Sequence, residues 1–145
     1  MILDYTFSMI KPDAVKSNLT GKILEEIETN GFKILKLRKI KMTTEQAKEF
    51  YISLKDMPFY NELCEYMSSG EVVAMVIQKE NAVIDFRNLI GATDPAQANI
   101  GTIRKKYGIS KGSNAIHGSD SDQNDIRESN FFDLYLIHNE IIITY

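Results

Sequence analysis

The sequence has a single cysteine, Cys64, no tryptophan and only three prolines among its 145 residues. A lone cysteine cannot form an intramolecular disulfide, and chains without disulfides are typical of reducing compartments. A chain of this length buries roughly 68–70% of its unfolded surface, so a stable core does not require metal or disulfide cross-links. We therefore expect one domain over residues 1–145, working in the cytoplasm.

Long apolar runs and an excess of positive charge are missing as well. The longest internal apolar run, Val72–Ile77, is far below the roughly 18 residues that indicate a membrane span. Seventeen Lys and Arg stand against twenty Asp and Glu, for a net charge of −3, whereas dedicated nucleic-acid binders are strongly basic. The N-terminal residues show no basic segment followed by a small-residue cleavage site, so we expect no secretory signal.

The first half of the chain alternates strand and helix patterns. Tyr5–Ile10 has the period of two of a strand, which we expect to end at Lys11-Pro12 and lead into a polar turn. Helical spacing begins at Thr20 and ends before Gly31, a typical C-terminal cap. Phe32–Met42 predicts a strand with a bulge near Arg38-Lys39. Thr43-Thr44-Glu45-Gln46 then has the capping-box pattern that begins a helix, which we expect to continue to Pro58 through Ala47, Phe50, Tyr51 and Leu54.

The second half continues the alternation around one long loop. We predict, in order, a short helix over Phe59–Met67, a buried strand over Val72–Ile77, a helix over Asn81–Leu89, a loop over Gly91–Gly118 that includes a short strand, and a helix capped by Ser121 that runs to about Phe132. Loops this long are usually functional or disordered. The last segment, Leu134–Tyr145, is apolar enough to pack.

This order of elements predicts an α+β fold of the ferredoxin-like, split βαβ type. In that sandwich a four-stranded antiparallel sheet carries helices, which we expect on one face. Such a fold hosts many functions, so the function has to be argued from the site.

The two histidines, His117 and His138, differ in their surroundings. His117 lies among polar residues and beside Gly118, whereas His138 follows an apolar pair near the C-terminus, so His117 is the candidate for a chemical role. A zinc site is not predicted, because Cys64 is the only thiol and no ligand spacing links it to a histidine. The sequence also lacks a Gly-x-Ser-x-Gly elbow and a Walker A loop.

Three cations in turns suggest a phosphate site around His117. Lys11 precedes Pro12, and Arg87 and Arg104 lie in otherwise polar or glycine-containing segments. Any one of them could be a solvated surface charge. Together they could neutralise a phosphoryl group in an in-line transfer, where positioning and electrostatics supply most of the catalysis.

Five motifs, in order along the chain, resemble those of the nucleoside diphosphate kinase family. The most specific is Asn114-Ala115-Ile116-His117-Gly118-Ser119-Asp120, which resembles the family's active-site signature. The others are Met9–Ala14, Pro58–Tyr60 with Tyr66–Gly70, Gly91–Ala96 and Gly101–Arg104. The resemblance covers about Tyr5 to Phe132.

The resemblance implies a ping-pong transfer of the terminal phosphoryl group of a nucleoside triphosphate, usually ATP, to a nucleoside diphosphate. His117 corresponds to the phosphorylated nucleophile, Glu128 to the carboxylate that orients its ring, and Ser119 to a hydroxyl that we expect to bond Glu128 rather than receive a phosphoryl group. The nucleotide contacts correspond to Lys11 and Tyr51 near the transferred group, Arg87, Thr93 and Arg104 on the other phosphates, Asn114 on the sugar, and Phe59 stacked on the base. Stacking tolerates every base, which suits broad specificity.

The resemblance also implies Mg²⁺ and a homo-oligomer, either a hexamer or a tetramer built from a shared dimer. Magnesium would be held mainly by nucleotide phosphates and water, with Asp120 in the outer shell and no direct protein ligand assigned. The chain departs from the family pattern at four positions near the site. The family often has Pro at the position of Ile100, Asn at that of Asp94, an apolar residue at that of Lys111 and Arg at that of Ser113. These departures could change nucleotide affinity while leaving the chemistry intact.

Two other classes of function fit the same elements. The split βαβ sheet is also the scaffold of RNA-recognition domains, although the strand Val72–Ile77 carries no base-stacking aromatic residue. RNA binding would fall steeply with salt. A nucleotide-binding protein without catalysis is the other alternative, against which the intact set of His117, Lys11, Arg104 and Asn114 counts.

Overall fold

The structure is a computed structural model that describes residues 4–132. The apolar segment Leu134–Tyr145 and His138 lie outside the described residues. Four strands are found: β1 Asp4–Ile10, β2 Lys33–Ile40, β3 Val72–Lys79 and β4 Ile116–Gly118. The helices are α1 Pro12–Lys16, α2 Thr20–Thr29, α3 Thr44–Phe50, α4 Tyr60–Met67, α5 Ala82–Ile90, α6 Ile103–Tyr107 and α7 Asp122–Phe131, with a 3₁₀ turn at Ile52–Leu54.

The four strands form one antiparallel sheet in the order β2-β3-β1-β4. This arrangement confirms the predicted α+β, ferredoxin-like fold. The short β4 pairs with the end of β1, where Met9 is opposite His117 and Ile10 is opposite Ile116. The motif Asn114–Asp120 therefore passes along a sheet edge, beside the end of the strand that leads to Lys11.

Helices cover both faces of the sheet, so the expectation of one covered face is wrong. Alternate residues of β3 belong to two separate apolar clusters. Val72, Ala74 and Val76 pack with α3, α4 and Phe132, whereas Val73, Met75 and Ile77 pack with α2 and α5. A continuous apolar strand, rather than an alternating one, is the sequence signal for a sheet buried on both sides.

Most local start and stop signals are confirmed. The Thr43 side chain accepts a hydrogen bond from the Gln46 backbone, and the Gln46 side chain accepts one from the Thr43 backbone, as a capping box requires. Gly31 has φ +90° just beyond α2, and the Ser121 hydroxyl caps α7 by accepting from the Asn124 backbone. The side-chain caps of α3 and α7 satisfy backbone donors that each helix leaves free at its N-terminus, whereas glycine suits the end of α2 because it adopts positive φ without steric cost.

Four details of the sequence prediction are wrong. The β2 bulge lies between Ile34 and Lys36 rather than at Arg38-Lys39. The helix begun by Thr43 ends at Phe50 and is followed by the 3₁₀ turn instead of continuing to Pro58. The segment after β1 forms α1, with Pro12 at its first position, and the long loop contains α6. Proline is well tolerated at that first position, because its missing N–H would have no helical partner there.

Within residues 4–132 no helix is long and apolar enough to cross a membrane.

Candidate active site

A cavity of about 810 Å³ lies at the end of β1 and β4, between α4, α7 and the loop before β4. Its size is within the usual range for small-molecule sites. The walls include nearly all of the residues predicted for the site: Lys11, Tyr51, Phe59, Arg87, Thr93, Arg104, Asn114, His117, Asp120 and Glu128. Ser119, the remaining one, is buried and bonds to Glu128.

His117 is oriented by a carboxylate on α7. Its Nε2 lies 2.6 Å from Glu128 Oε2, and the other oxygen, Oε1, accepts a hydrogen bond from the Ser119 hydroxyl at 2.6 Å. The Glu128 carboxylate can only accept when ionised, so the bond places the ring proton on Nε2. Nδ1 then keeps its lone pair, and the half-buried ring lines the cavity.

Aromatic rings pack against the His117 imidazole. The Phe7 ring centroid is 5.9 Å from it, and the Phe50 ring meets it edge-on at 5.8 Å. Phe7 and Phe50 also contact Phe132, just beyond the end of α7. The imidazole is therefore held both by the hydrogen bond to Glu128 and by packing.

Lys11 leaves β1 and lies beneath the same cavity. The residue is only 7% exposed, and its backbone N–H donates to Ala115 O at 2.8 Å. Burial lowers the pKa of Lys11 to about 8, and the nearby charge of Arg104 contributes in the same direction. Asp13 opposes this effect. A lysine held in this way gains a strong interaction from any anion that enters.

The two arginines are fixed by backbone carbonyl groups. Arg104 Nε and Nη2 donate to Ile116 O at 3.3 and 2.8 Å, and Nη1 donates to Gly91 O at 2.9 Å. Burial lowers the pKa of Arg104 to about 10, with the charge of Arg87 as the second cause. Arg87 Nη1 itself lies 3.5 Å from Gly118 O. Lys11, Arg87 and Arg104 thus place three cations around one cavity, an arrangement suited to a polyanion.

Two buried polar groups on the cavity wall have no hydrogen-bond partner among the described residues. They are the Tyr51 hydroxyl and Asn114 Oδ1, while Asn114 Nδ2 donates to Thr93 O at 2.9 Å. Burial raises the pKa of Tyr51, with the charge of Glu128 as a further cause, so its hydroxyl stays protonated. Unpaired buried polar groups are costly, and here they provide a donor and an acceptor for a bound ligand.

The mouth of the cavity combines an aromatic ring and a carboxylate. Phe59 precedes α4, lines the cavity and is 45% exposed, so its side chain is accessible to a ligand. Asp120 accepts a hydrogen bond from the Asn124 side chain, and this bond lowers the pKa of Asp120. Among the described residues no group of three or more His, Cys, Asp or Glu side chains could hold a metal ion.

Sequence reasoning assigned no role to several residues that build the site. Tyr66 and Arg127 line the cavity, and Asp13 bonds both Tyr66 and the backbone of Ala115. Arg127 Nη2 also donates to Phe50 O at 2.8 Å. Asp13 and Tyr66 lie inside motifs that carry the family resemblance, which is the one signal that could have marked them.

Comparison with known proteins identifies the family. The family model for nucleoside diphosphate kinase matches residues 4–134. The chain is 52% identical over 132 residues to a nucleoside diphosphate kinase of Persephonella marina, covering 91% of this chain and 94% of the relative. It is 54% identical over 130 residues to that of Chlorobaculum tepidum, covering 90% and 93%. The chain belongs to the nucleoside diphosphate kinase family.

Solved structures of nucleoside diphosphate kinases have the same fold. The Aquifex aeolicus enzyme superposes with a TM-score of 0.88 at 40% identity, covering 90% of this chain and 95% of that one. The Halobacterium salinarum enzyme, solved in complex with CDP, superposes with a TM-score of 0.85 at 40% identity, covering 89% and 86%. Nucleoside diphosphate kinases are phosphotransferases that act on nucleotides, and this kinase is a member of that enzyme class.

Proposed function

We propose that this nucleoside diphosphate kinase transfers phosphoryl groups through His117. The observation that carries the proposal is the 2.6 Å bond between His117 Nε2 and Glu128, which leaves Nδ1 as a nucleophile in a cavity lined by Lys11, Arg87 and Arg104. The relative from Halobacterium salinarum was solved with CDP, which supports a nucleoside diphosphate as the ligand of this cavity.

The reaction has two half-steps. In the first, the Nδ1 lone pair attacks the terminal phosphorus of a nucleoside triphosphate, the N–P bond forms, and the bond to the bridging oxygen breaks with its electron pair on the departing diphosphate. In the second, a different nucleoside diphosphate attacks the phosphoryl group and restores the free imidazole. The proton on Nε2 stays shared with Glu128, whose negative charge stabilises the positive charge that develops on the ring.

The other residues bind and orient the nucleotide. Lys11 and the Tyr51 hydroxyl donate to the transferred group, and Arg87, Arg104 and Thr93 hold the remaining phosphates. Asn114 Oδ1, a buried acceptor without a partner among residues 4–132, receives a sugar hydroxyl, and the base stacks on Phe59. The bond from Ser119 to Glu128 supports an orienting role for Ser119 rather than a phosphoryl-accepting one.

The donor set of the cavity fits Mg²⁺ held chiefly by the nucleotide. Among the described residues three carboxylates line the cavity, those of Glu62, Asp120 and Glu128. Glu128 is already bonded to His117 and Ser119, and one Asp120 oxygen is bonded to Asn124. That arrangement suits an ion that keeps its waters and phosphate ligands, with Asp120 in the outer shell. Bound magnesium would neutralise charge on the β and γ phosphates.

We further propose that residues 1–145 form a single domain of this family, that the chain assembles as a homo-oligomer, hexamer or tetramer, and that it equalises nucleoside triphosphate pools in the cytoplasm. The match of the family model to residues 4–134 supports the single domain.

The test is to incubate the purified protein with Mg²⁺ and terminally labelled ATP without an acceptor. We expect an acid-labile phosphoryl group on His117 that GDP discharges. His117→Ala should take no label and keep its fold, whereas His138→Ala is the matched control because the chain has two histidines. Absence of label in a protein that still binds nucleotide would instead indicate a catalytically silent binding protein.

Arg104→Ala should slow transfer without abolishing phosphorylation, because Lys11 and Arg87 remain beside the phosphates. The measurement is the single-turnover rate of phosphoenzyme formation. An unchanged rate would remove Arg104 from the proposed site.

A further inference from the structure

The Asp13 carboxylate joins three parts of the kinase behind the cavity. Asp13 lies in α1, its Oδ1 accepts from the Tyr66 hydroxyl of α4 at 2.7 Å, and its Oδ2 accepts from the Ala115 backbone N–H at 3.0 Å. Tyr66 lines the cavity, and Ala115 is two residues before His117. Both oxygens of one half-buried side chain therefore have partners on different walls of the site.

Ala115 needs external support because its backbone is strained. It has φ +77° and is fully buried, and the Ile116 N–H donates to Asn114 O at 3.0 Å across it. This is a γ-turn of the positive-φ type, which is rare and strained. A residue with a Cβ is disfavoured at such a φ, so the surrounding contacts must favour the turn.

Residues 11–13, which lie beside the turn, supply those contacts. The Lys11 N–H donates to Ala115 O at 2.8 Å, while Asp13 accepts from Ala115 N. Both backbone polar groups of the strained residue are thus bound by residues 11–13. Of the two contacts, the one from Asp13 is made by a side chain and can be removed by substitution.

The turn carries three parts of the site within four residues. Asn114 presents its side chain to the cavity, Ile116 O accepts two hydrogen bonds from Arg104, and His117 follows as the nucleophile. A rotation of the turn would move all three together. Misplacement by about 1 Å can cost roughly 10²-fold in rate.

We propose that Asp13 is a positioning residue for phosphoryl transfer, which holds the Asn114–Ile116 turn in its strained conformation by accepting the Ala115 N–H. This inference rests on the proposed function of His117. Asp13 acts indirectly, through its hydrogen bonds to Ala115 and Tyr66, and is not itself one of the residues that line the cavity.

The first test compares Asp13→Ala with the unaltered kinase in single-turnover phosphorylation by ATP. We expect the rate to fall by roughly 10–100-fold, and the dissociation constant for a nucleoside diphosphate to change less, because Arg87, Phe59 and Lys11 remain in place. Asp85→Ala is the matched control, since it removes a carboxylate paired with Lys79 outside the cavity and should leave the rate unchanged.

Rescue distinguishes positioning from general stability. Glycine adopts positive φ without steric cost, so Ala115→Gly combined with Asp13→Ala should restore at least part of the rate. Because Ala115→Gly also relieves strain in the folded state, both variants are compared at a temperature where urea unfolding shows them fully folded, so that a deficit due to global destabilisation disappears and a positioning deficit remains. If Asp13→Ala does not fold, Asp13→Asn replaces it: one acceptor oxygen then remains for the two donors Ala115 N–H and Tyr66 O–H, so the rate should fall less and Ala115→Gly should still relieve the loss.

Hydrogen exchange gives a readout that does not depend on activity. In the unliganded protein the amide of Ala115 should exchange faster in Asp13→Ala than in the unaltered chain. Loss of labelling in the unaltered chain would refute the proposed function and leave this exchange result standing. A phosphorylation rate of Asp13→Ala equal to that of the unaltered chain, or a rate loss that Ala115→Gly does not relieve, would overturn the positioning role of Asp13.

Discussion

The Lys11 ammonium group is held in a nearly dry position at the end of β1, and this position links nucleotide binding to protonation. Because its pKa is about 8 in the unliganded protein, a large share of Lys11 is neutral at pH 8.5. Bound phosphates favour the charged form and raise the pKa again. We predict that a nucleoside diphosphate binds with uptake of up to about one proton at pH 8.5. Calorimetry in two buffers of different ionisation enthalpy measures this uptake.

The control for this prediction is Lys11→Met, which should bind more weakly and without the buffer dependence.

The lowered pKa of Lys11 also affects folding. Lys11 has a lower pKa when folded than its ordinary 10.5, so burying the charged form costs stability below pH 8, and this cost falls as pH rises toward 10.5. The unfolding free energy of the unliganded protein should therefore rise relative to Lys11→Met between pH 8 and 10. In the binding experiment, equal enthalpies in the two buffers would contradict the predicted proton uptake.

At the scale of single residues, the sequence predicted the groups that we propose to react and missed the residues that support them. His117, Lys11 and Arg104 stand out because imidazole and cations in polar turns suggest phosphate chemistry. Glu128 could be assigned only through the family resemblance, since a glutamate in a helix is ordinarily exposed, whereas this one is 4% exposed. The role of Asp13 depends on a contact to Ala115 across about a hundred residues, which no local pattern encodes.

At the scale of elements, α6 is held against the end of α5 at Gly91, and a second glycine, Gly101, precedes the N-cap of α6. Gly91 has φ +89°, and a Cβ there would lie 2.6 Å from Thr102 Oγ1. Thr102 caps α6, which carries Arg104, and Gly91 O accepts from Arg104. Gly101 has a similar φ of +93° but open space around it. Alanine substitutions at the two glycines therefore distinguish the cost of backbone strain, which both share, from the cost of a clash with Thr102, which only Gly91 has.

We predict that Gly91→Ala destabilises the protein by roughly 1–3 kcal/mol more than Gly101→Ala, which is the matched control. Both substitutions force alanine into positive φ, and only Gly91→Ala also overpacks Thr102. Gly91→Ala should in addition weaken nucleotide binding, because displacement of α6 moves Arg104. Urea unfolding and calorimetric titration with a nucleoside diphosphate measure the two effects. Equal losses of stability would show that Thr102 yields without cost.

Helix ends could be predicted where a local motif or a single residue determines them. The capping box at Thr43 and the positive-φ Gly31 encode their structures locally. The β2 bulge was placed wrongly because β2 is an edge strand in which no residue is fully buried, so its apolar alternation is a weak guide to phase. The five-residue helices α1 and α6 are too short to show a helical period.

At the scale of the whole molecule, the sheet divides the kinase into two apolar layers, and the site belongs to one of them. Phe7 contacts His117, Phe50 and Phe132 in the layer formed with α3, α4 and the end of α7. Phe32 contacts Phe86 at 5.3 Å in the opposite layer. The sequence predicted both rings as apolar residues of strand segments, and it could not show which layer holds the imidazole because that depends on the pairing of Met9 with His117.

The two layers give the last prediction, in which the same substitution is made on each side of the sheet. Phe7→Leu and Phe32→Leu each remove a buried ring and should cost on the order of 1–3 kcal/mol in unfolding free energy, less than truncation to alanine. Only Phe7→Leu also loosens the packing that holds the His117 ring against Glu128. We therefore expect a several-fold slower single-turnover phosphorylation for Phe7→Leu and an unchanged rate for Phe32→Leu at a temperature where both are folded. If both variants lose rate in proportion to their lost stability, the site depends on the whole core, and the separation of the two layers has no functional consequence.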